Sequence, residues 1–191
     1  MTTRELSTDI LIVGAGLGGT AAALAAADRG ARVILTEEHP WIGGQLTSQA
    51  VPPDEHPWVE EFGITARYRA LRNGIRDVYR RRYPLTDAAR EREDLNPGAG
   101  WVSKLCHEPR VAVGVLEEML APYRSTGSIR LLEQVRPVAA SVDGDRVVSV
   151  TLESVQGGER TTVHADYTID ATETGELLPL TGTDYVTGFE S

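Results

Sequence analysis

The sequence is poor in cysteine and has no long apolar run. Its 191 residues include a single cysteine, Cys106, which excludes an intramolecular disulfide framework and cannot build a thiolate metal cluster. No apolar stretch approaches the roughly 20 residues that cross a bilayer. Residues 1–9 lack the basic segment and the apolar segment of a secretory signal. We therefore expect a cytoplasmic protein with no membrane contact.

Positive charge is also scarce. Lysine and arginine number 19 against 28 aspartates and glutamates, which gives a formal net charge of −9. Such a chain repels a phosphate backbone, so nucleic acid is not an expected partner. One basic cluster stands out, Arg76 with Arg80, Arg81 and Arg82, and it lies in a helical pattern. We interpret it as a solvated helix face, with contact to an acidic substrate or subunit as the alternative.

The first 37 residues predict a βαβ unit. Asp9–Gly14 is a continuous apolar run ended by glycine, typical of a strand buried on both faces of a parallel sheet. Leu17–Arg29 is rich in alanine and is followed by Gly30, which predicts a helix with a C-terminal glycine. Arg32–Leu35 predicts a second short strand. The pattern favours an α/β fold of the Rossmann-like class.

After the βαβ unit, the pattern predicts a loop and helical excursion outside the sheet at about residues 38–108. The segment Glu38–Pro57 predicts an ordered loop of about 20 residues. A loop of this length inside a compact domain is usually functional. Trp58–Tyr83 predicts helix in two pieces broken near Gly63, and Pro84–Gly100 is polar and rich in turn formers. Helix resumes at about Pro109.

After Gly127 the hydrophobic period changes from about 3.6 to 2, which predicts a β-meander. Asp143-Gly144 is a hairpin turn signal, and we expect no closing helix after the last strand. No linker divides the chain, so we predict one partial domain over residues 1–191. The predicted strands are Ile129–Val135, Pro137–Val142, Arg146–Glu153 and Thr161–Ala171.

A glycine motif follows the first predicted strand and opens the first helix. The segment Gly14-Ala15-Gly16-Leu17-Gly18-Gly19 satisfies G-x-G-x-x-G. The first glycine of this motif permits the tight turn, the second lets backbone approach a pyrophosphate, and the third lets the helix pack closely on the sheet. The helix N-terminus then directs free N–H groups at the phosphates. The segment therefore predicts dinucleotide binding.

An acidic residue stands where such a site holds the adenosine ribose. Glu37 lies 21 positions after Gly16, at the end of the second strand. A carboxylate there accepts hydrogen bonds from ribose and repels a 2′-phosphate, which disfavours NADP. Glu38 is the alternate ribose ligand, and we interpret it as a solvent-facing loop charge.

The sequence also resembles a known family. The N-terminal stretch reads ILIVGAGLGGTAAALAAADRGARVILTEEHPWIGGQ, and it resembles the start of two-dinucleotide-binding-domain flavoproteins of the glutathione-reductase type. The longer pattern GGQLTSQ, PPDEH, LNPG, GWVSKLCHEPR and DATETGELLPL is similar to a group of bacterial FAD-dependent oxidoreductases of poorly defined substrate. The resemblance spans essentially the whole chain.

The resemblance implies that FAD is the cofactor. It places Gly14, Gly16 and Gly19 at the pyrophosphate and Glu37 at the ribose. Further contacts are expected from a second glycine pair and the residues after it, from one backbone position after Gly127, and from a small-residue turn after the last strand. These residues are Gly43, Gly44, Gln45, Leu46, Val135, Ala171, Thr172 and Gly175.

The resemblance also sets an expectation about what completes the domain. Such flavoproteins return to the FAD fold with another strand and a Gly-Asp turn, and this sequence has neither. We expect a second chain or a C-terminal segment to supply them. The implied function is oxidation or reduction of a small organic substrate by hydride transfer to or from flavin. A noncatalytic dinucleotide-binding module stays open as the alternative, and an NAD-binding dehydrogenase domain is disfavoured by the β-meander.

Three residues are weak candidates for catalysis. His56 and His107 lie in Pro-bounded loops, where functional residues concentrate, although each is typical of a local hydrogen-bonding loop histidine. Cys106 precedes His107 and is a candidate thiolate, although a lone cysteine is usually a small buried hydrophobe. Asp54, Glu55 and His56 are too close together for a tetrahedral site, so we predict no metal.

Overall fold

The computed structural model describes residues 3–188. These residues form six strands, five α-helices and a short 3-10 helix at Gly44–Leu46. The strands are β1 (Thr3–Val13), β2 (Val33–Glu37), β3 (Ile129–Glu133), β4 (Val135–Asp143), β5 (Arg146–Ser154) and β6 (Arg160–Asp170). The helices are α1 (Leu17–Asp28), α2 (Ala66–Arg82), α3 (Asp87–Glu91), α4 (Pro109–Thr126) and α5 (Leu177–Thr181).

All six strands belong to one sheet, in the order β3-β2-β1-β6-β5-β4. The first four in that order are parallel, whereas β5 pairs antiparallel with both β6 and β4. Val13 is level with Thr36 of β2 and with Asp170 of β6. The carboxyl ends of the parallel strands therefore meet at one edge, where ligands of α/β sheets bind. The predicted α/β Rossmann-like class with a β-meander is confirmed.

The first strand is longer than its apolar run. β1 begins at Thr3, and its polar first half pairs with β6 from Thr3↔Arg160 to Thr8↔Ala165. His164 Nε2 lies 2.6 Å from Glu5 Oε2 in this part of the sheet. The prediction started the strand at Asp9 because a polar segment gives no buried-strand signal. Cross-strand pairing with β6, distant in sequence, extends it.

The hydrophobic core of the sheet is formed by both the parallel strands and the β-meander. One cluster of buried apolar side chains comes from β1, β5 and β6, with Ile34 of β2 and Leu177 of α5. β4 also contacts β2 and α5, which requires the sheet to curl over itself. Ile12 points to the opposite face from Leu11 and is equally buried, so both faces of β1 are covered.

The described residues divide into two compact units. One contains the chain through Pro40 and again from Pro122, and the other is Trp41–Ala121. The predicted excursion at 38–108 overlaps the second unit. Within it, a β-carbon placed on Gly74 of α2 would lie 2.7 Å from Val115 Cγ1 of α4. Glycine at this position therefore lets the two helices pack closely.

Several predicted boundaries are wrong. The segment Trp58–Gly63 forms turns, and α2 begins only after Thr65, whose Oγ1 accepts a hydrogen bond from Tyr68 N at 3.2 Å. The polar stretch after Pro84 contains the short helix α3. A closing helix, α5, follows the last strand, although none was expected. In each case a side-chain cap or a tertiary contact decides where helix forms.

The strand after Gly127 also ends earlier than predicted. Gln134 has φ 55°, in the left-handed region, and its carbonyl accepts a hydrogen bond from Val155 N at 2.8 Å. This turn separates β3 from β4. Val135 therefore opens the antiparallel strand β4 and does not end the parallel strand β3. No helix among residues 3–188 is long and apolar enough to span a membrane.

Candidate functional site

The glycine turn after β1 packs against the turn after β6. Gly14 has φ 99°, and a β-carbon placed on it would lie 2.3 Å from the Ala171 carbonyl oxygen. A β-carbon on Gly19 would lie 1.9 Å from the Gly14 carbonyl oxygen. Ala171 N donates to Val13 O at 2.8 Å, which fixes the two turns together. Glycine at positions 14 and 19 is therefore required by packing within this unit.

The N-terminus of α1 is free of side-chain caps. Gly16 occupies the N-cap with no side-chain hydrogen bond, and the first turn of the helix contains no acidic residue. A β-carbon on Gly18 would have no neighbour within 4 Å, and Leu17 is partly exposed. The first N–H groups of α1 are thus available to an anion, and the dipole of the helix favours negative charge there. This cradle fits the pyrophosphate of a dinucleotide.

Glu37 is held beside the glycine turn. Its side chain is buried, Oε2 accepts from Ala15 N at 3.2 Å, and Oε1 accepts from His39 N at 2.8 Å. Burial raises the pKa of Glu37 above its ordinary value, although the hydrogen bonds from the backbone of His39 and Ala15 oppose that rise. Each carboxylate oxygen retains a lone pair that can accept a ribose hydroxyl.

Glu38 lies in the loop directly after β2, and its role as an alternate ribose ligand stays a prediction. The residue is partly buried, and its charge acts on Glu176. Burial raises the pKa of Glu176, and the neighbouring carboxylates Glu38 and Asp170 raise it further. The carboxyl edge of the sheet therefore concentrates acidic groups, an electrostatic feature that residue spacing did not reveal.

Asp170 organises the small-residue turn after β6. Its Oδ1 accepts from Thr172 N at 3.0 Å and from Thr172 Oγ1 at 2.7 Å, and its Oδ2 accepts from Leu177 N at 2.9 Å. Gly175 has φ 71° within the same turn. Sequence reasoning singled out Ala171, Thr172 and Gly175 but missed Asp170. The available signal was a carboxylate at a strand end followed by Thr, which is typical of a capped turn.

The remaining predicted cofactor residues lie in different places. Val135 is partly buried and packs against the core of the sheet unit. Gly43 belongs to the other unit, where it has φ 102° and a β-carbon on it would lie 2.7 Å from Leu116 Cδ1. Gly44, Gln45 and Leu46 form the 3-10 helix, with Leu46 buried and Gln45 exposed. Contacts of these residues with the cofactor stay predictions.

The three catalytic candidates all lie in the second unit. Cys106 is buried, its Sγ lies 3.8 Å from Ser103 O, and its peptide N donates to Asn96 Oδ1 at 2.7 Å. His107 Nδ1 lies 3.0 Å from Leu105 O, and its buried Nε2 has no hydrogen-bond partner in the described chain. His56 is exposed. The placement of Cys106 favours a packing role over a reactive thiolate.

Arg76 differs from the predicted solvated helix face, whereas Arg81 and Arg82 of the same cluster are exposed as predicted. Arg76 is 3% exposed, and it donates to Leu95 O at 2.9 Å and to Glu60 Oε1 at 2.5 Å. Arg72, one turn earlier, is also buried and binds both Glu55 and Glu60. Burial acts to raise the pKa of Glu60, but hydrogen bonds from Arg76 and Arg72 outweigh it and lower that pKa. Charge neutralisation by carboxylates from the preceding loop permits this burial.

No metal cluster forms among residues 3–188, where no group of three histidine, cysteine or carboxylate side chains is placed to hold an ion. The carboxylate of Glu55, in the acidic loop before α2, instead accepts from the Arg72 guanidinium and from Tyr68 OH, the latter at 2.5 Å. Burial raises the pKa of Tyr68, and its bond to Glu55 raises it further. Tyr68 therefore acts as a hydrogen-bond donor to this carboxylate.

Known structures share this fold at low sequence identity. A flavoprotein/dehydrogenase from Cytophaga hutchinsonii is 17% identical, with a TM-score of 0.55 over 96% of this chain and 44% of that chain. Glycerol-3-phosphate dehydrogenase from Bacillus halodurans, complexed with FAD, is 16% identical, with a TM-score of 0.53 over 87% of this chain and 34% of that chain. This chain thus spans less than half the length of either protein.

The sequence also matches part of a curated protein. Digeranylgeranylglycerophospholipid reductase from Methanocaldococcus jannaschii is 37% identical over 76 residues, which is 38% of this chain and 18% of that protein. The model of the family described as FAD dependent oxidoreductase matches residues 9–191. The matched region contains the glycine turn, Glu37 and the Asp170 turn, whose arrangement fits a dinucleotide. The chain belongs to the FAD-dependent oxidoreductase family, and FAD is its cofactor.

Proposed function

We propose that this chain provides the FAD-binding part of an oxidoreductase that acts on a small organic substrate. The bound flavin would accept or donate the hydride, as flavins do. The observation that carries the proposal is the joint packing of the glycine turn and the Ala171 turn beside the Glu37 carboxylate. The chain's own residues bind and orient the adenosine half of the cofactor.

Two parts of the chain would bind FAD. The uncapped N–H groups at the start of α1 would bind the pyrophosphate, because aligned peptide dipoles and free donors favour an anion. Glu37 would accept hydrogen bonds from the adenosine ribose. The hydrogen bond from Ala15 N to Glu37 connects the glycine turn to the residue that would bind the ribose. The pyrophosphate-binding and ribose-binding groups are therefore held in place before FAD binds.

A further strand would complete the sheet. β6 pairs with β5 only from Arg160 through His164, so residues 165–170 have β1 on one side and no strand on the other within the described chain. Tyr167 is 72% exposed and Ile169 is 37% exposed along this open edge. An unpaired strand edge with apolar side chains favours addition of another strand. We propose that a second chain or a further segment supplies that strand.

Cofactor binding is tested by flavin retention. The purified chain is incubated with FAD and desalted, and its visible absorption spectrum is recorded. We expect flavin bands to remain in the protein fraction, and we expect excess NAD or NADP not to displace the flavin. Loss of all flavin, or its displacement by NAD, would contradict the proposal.

Catalysis requires a separate measurement. The retained flavin is mixed anaerobically with small alcohols, amines and hydroxy acids, with and without any polypeptide that co-purifies. Bleaching of the flavin by one of these compounds would support an oxidoreductase. Stable flavin that none of them reduces would favour the noncatalytic dinucleotide-binding module.

A further inference from the structure

Thr36 places a buried hydroxyl directly after the apolar run of β2. The strand passes from Val33 through Ile34 and Leu35 to Thr36, and all of its residues are buried. Thr36 itself is 1% exposed. A buried hydroxyl costs free energy unless it is hydrogen-bonded, and valine would fill the same space without that cost. The presence of threonine at this position is therefore explained by the partner of its hydroxyl.

The partner of the Thr36 hydroxyl is the first glycine of the turn after β1. Gly14 lies one residue beyond the end of β1, and its φ of 99° turns the chain away from the sheet. Its N–H donates to Thr36 Oγ1 at 3.3 Å. Gly14 is partly buried, so its N–H would cost free energy if it lost this acceptor. The bond therefore favours the orientation of the Gly14 peptide in which the N–H faces β2.

The next residue of the turn makes a similar contact with the next residue of β2. Ala15 N donates to Glu37 Oε2 at 3.2 Å, and Ala15 O accepts from Thr20 Oγ1 at 3.1 Å. Both N–H groups of the Gly14-Ala15 dipeptide are therefore bound to side chains of β2. The N–H groups that remain for an anion are those at the start of α1, which follows directly.

We propose that Thr36 is a positioning residue for FAD. Its hydroxyl holds the Gly14 peptide, and this peptide sets the direction in which the chain enters the N-terminus of α1. Thr36 acts on the cofactor only through Gly14, because its bond keeps the first N–H groups of α1 directed at the pyrophosphate before FAD binds. The inference rests on the proposed contact between α1 and the pyrophosphate.

A second buried threonine provides a matched control. Thr8 is 7% exposed, and its Oγ1 donates to Arg32 O at 2.7 Å. Thr8 and Gly14 are six positions apart at opposite ends of the apolar part of β1, which corresponds to about 20 Å along a strand. Thr8→Val therefore removes a hydroxyl that bonds to backbone, as Thr36→Val does, but far from the glycine turn.

Titration of the full chain with FAD, followed by flavin fluorescence, tests the proposal. Thr36→Val keeps the shape of the side chain and removes its hydroxyl, so FAD affinity should fall about three- to tenfold, the effect of one neutral hydrogen bond. Thr36→Ser restores the hydroxyl and should restore FAD affinity. Thr8→Val should unfold at a lower urea concentration than the wild type and bind FAD as tightly as the wild type does.

Hydrogen exchange of the Gly14 amide, measured by NMR on the chain without FAD, checks the contact itself. Exchange should be faster in Thr36→Val than in the wild type and in Thr36→Ser. If Thr36→Val does not fold, Thr36→Ala compared with Thr36→Ser tests the same hydroxyl.

Three results would overturn the role of Thr36 and leave the proposed function intact. They are wild-type FAD affinity in the variant without the hydroxyl, equal weakening in that variant and in Thr36→Ser, and equal weakening in Thr8→Val. Unchanged exchange of the Gly14 amide would overturn it as well. A wild-type chain that binds no FAD would instead overturn both this inference and the proposed function.

Discussion

Gly14 packs its α-carbon so closely against Ala171 that a β-carbon would lie 2.3 Å from the Ala171 carbonyl oxygen. The two residues are far apart in the sequence, and they end adjacent parallel strands at the same edge of the sheet. The glycine turn is therefore shaped by β6 as well as by its own helix. Changes on either strand end should alter cofactor binding.

Two neighbouring glycines of α1 should respond oppositely to alanine. In Gly19→Ala the new β-carbon would lie 1.9 Å from Gly14 O, so we expect a loss of about 1–3 kcal/mol in the free energy of unfolding and reduced flavin retention. In Gly18→Ala the new β-carbon has no neighbour within 4 Å. This variant should therefore gain up to about 1 kcal/mol in the free energy of unfolding, because alanine has a higher helix propensity than glycine. Urea unfolding and desalting after FAD incubation measure both effects. Equal behaviour of the two variants would contradict the close packing.

FAD affinity should fall as the pH is lowered through the raised pKa of Glu37. Burial raises this pKa, so Glu37 takes up its proton at a higher pH than an ordinary glutamate does. The ribose hydroxyls donate to a carboxylate better than to a protonated acid. Glu37→Gln should weaken binding near neutral pH and flatten the profile, as measured by flavin fluorescence titration. An unchanged pH profile in Glu37→Gln would count against a ribose role.

Glu37 should also affect the stability of the cofactor-free chain. A carboxyl group with a raised folded pKa contributes stability that is present below its unfolded pKa and is lost as the pH rises through the folded pKa. The free energy of unfolding of the wild type should therefore decrease in that window relative to Glu37→Gln. Denaturant titrations at a series of pH values compare the two proteins. Parallel curves would show that Glu37 has the same pKa in the folded and unfolded chain.

Neutralising Glu173 should tighten FAD binding. A β-carbon on Gly16 would lie 3.2 Å from Glu173 Oε1, so this exposed carboxylate stands close to the expected path of the pyrophosphate. Glu173→Gln removes the repulsion, which at an exposed site is worth up to about 1 kcal/mol. The gain should shrink at high salt. Glu159→Gln, exposed in the turn before β6, is the matched control and should leave flavin affinity unchanged.

Loss of the Arg72 guanidinium should unfold the second unit more readily. Arg72 is buried and binds the carboxylates of Glu55 and Glu60, so Arg72→Met leaves two acidic groups without their shared partner. We expect a loss of about 3–5 kcal/mol in the free energy of unfolding. Arg82→Met, exposed at the end of the same helix, should change stability by less than about 0.5 kcal/mol. Urea denaturation distinguishes the two variants.

The cluster of Glu60, Arg72 and Arg76 should also make the chain less stable at acidic pH. Hydrogen bonds from Arg76 and Arg72 lower the pKa of Glu60 against the effect of burial. A lowered carboxyl pKa contributes stability that is present above the unfolded pKa and is lost as the pH falls through the folded pKa. The free energy of unfolding of the wild type should therefore decrease as the pH falls from the unfolded pKa of Glu60 through its folded pKa. The free energy of unfolding of Glu60→Gln should decrease less over the same range. Denaturant midpoints measured across that range check the difference.

A charge on the open edge of β6 should reduce association. Tyr167 is 72% exposed beside the unpaired residues of this strand. Tyr167→Lys should lower self-association of the isolated chain, because lysine on a strand edge opposes strand addition. Tyr185→Lys, at a residue 52% exposed outside the sheet, is the control. Sedimentation velocity measures both, and equal association of the two variants would argue against strand addition at this edge.

Local sequence determined the elements that carry the cofactor site. The buried strand before Gly14, the alanine-rich helix and the acid at position 37 are adjacent in sequence, so periodicity and turn chemistry were sufficient to predict them. The β-meander followed from its period and its Asp143-Gly144 turn. These features depend on interactions between residues that are close along the chain.

Tertiary structure decided the rest. The polar half of β1 became a strand through pairing with β6, and Asp170 became the organiser of a turn through bonds to Thr172 and Leu177. Arg72 and Arg76 became buried because Glu55 and Glu60 fold back onto α2. The sequence by itself predicted which segments should bind a dinucleotide, because the strand, the glycine turn and the acid at position 37 are adjacent in sequence. Only the folded structure decided which charges are buried, because burial depends on partners that are distant in sequence.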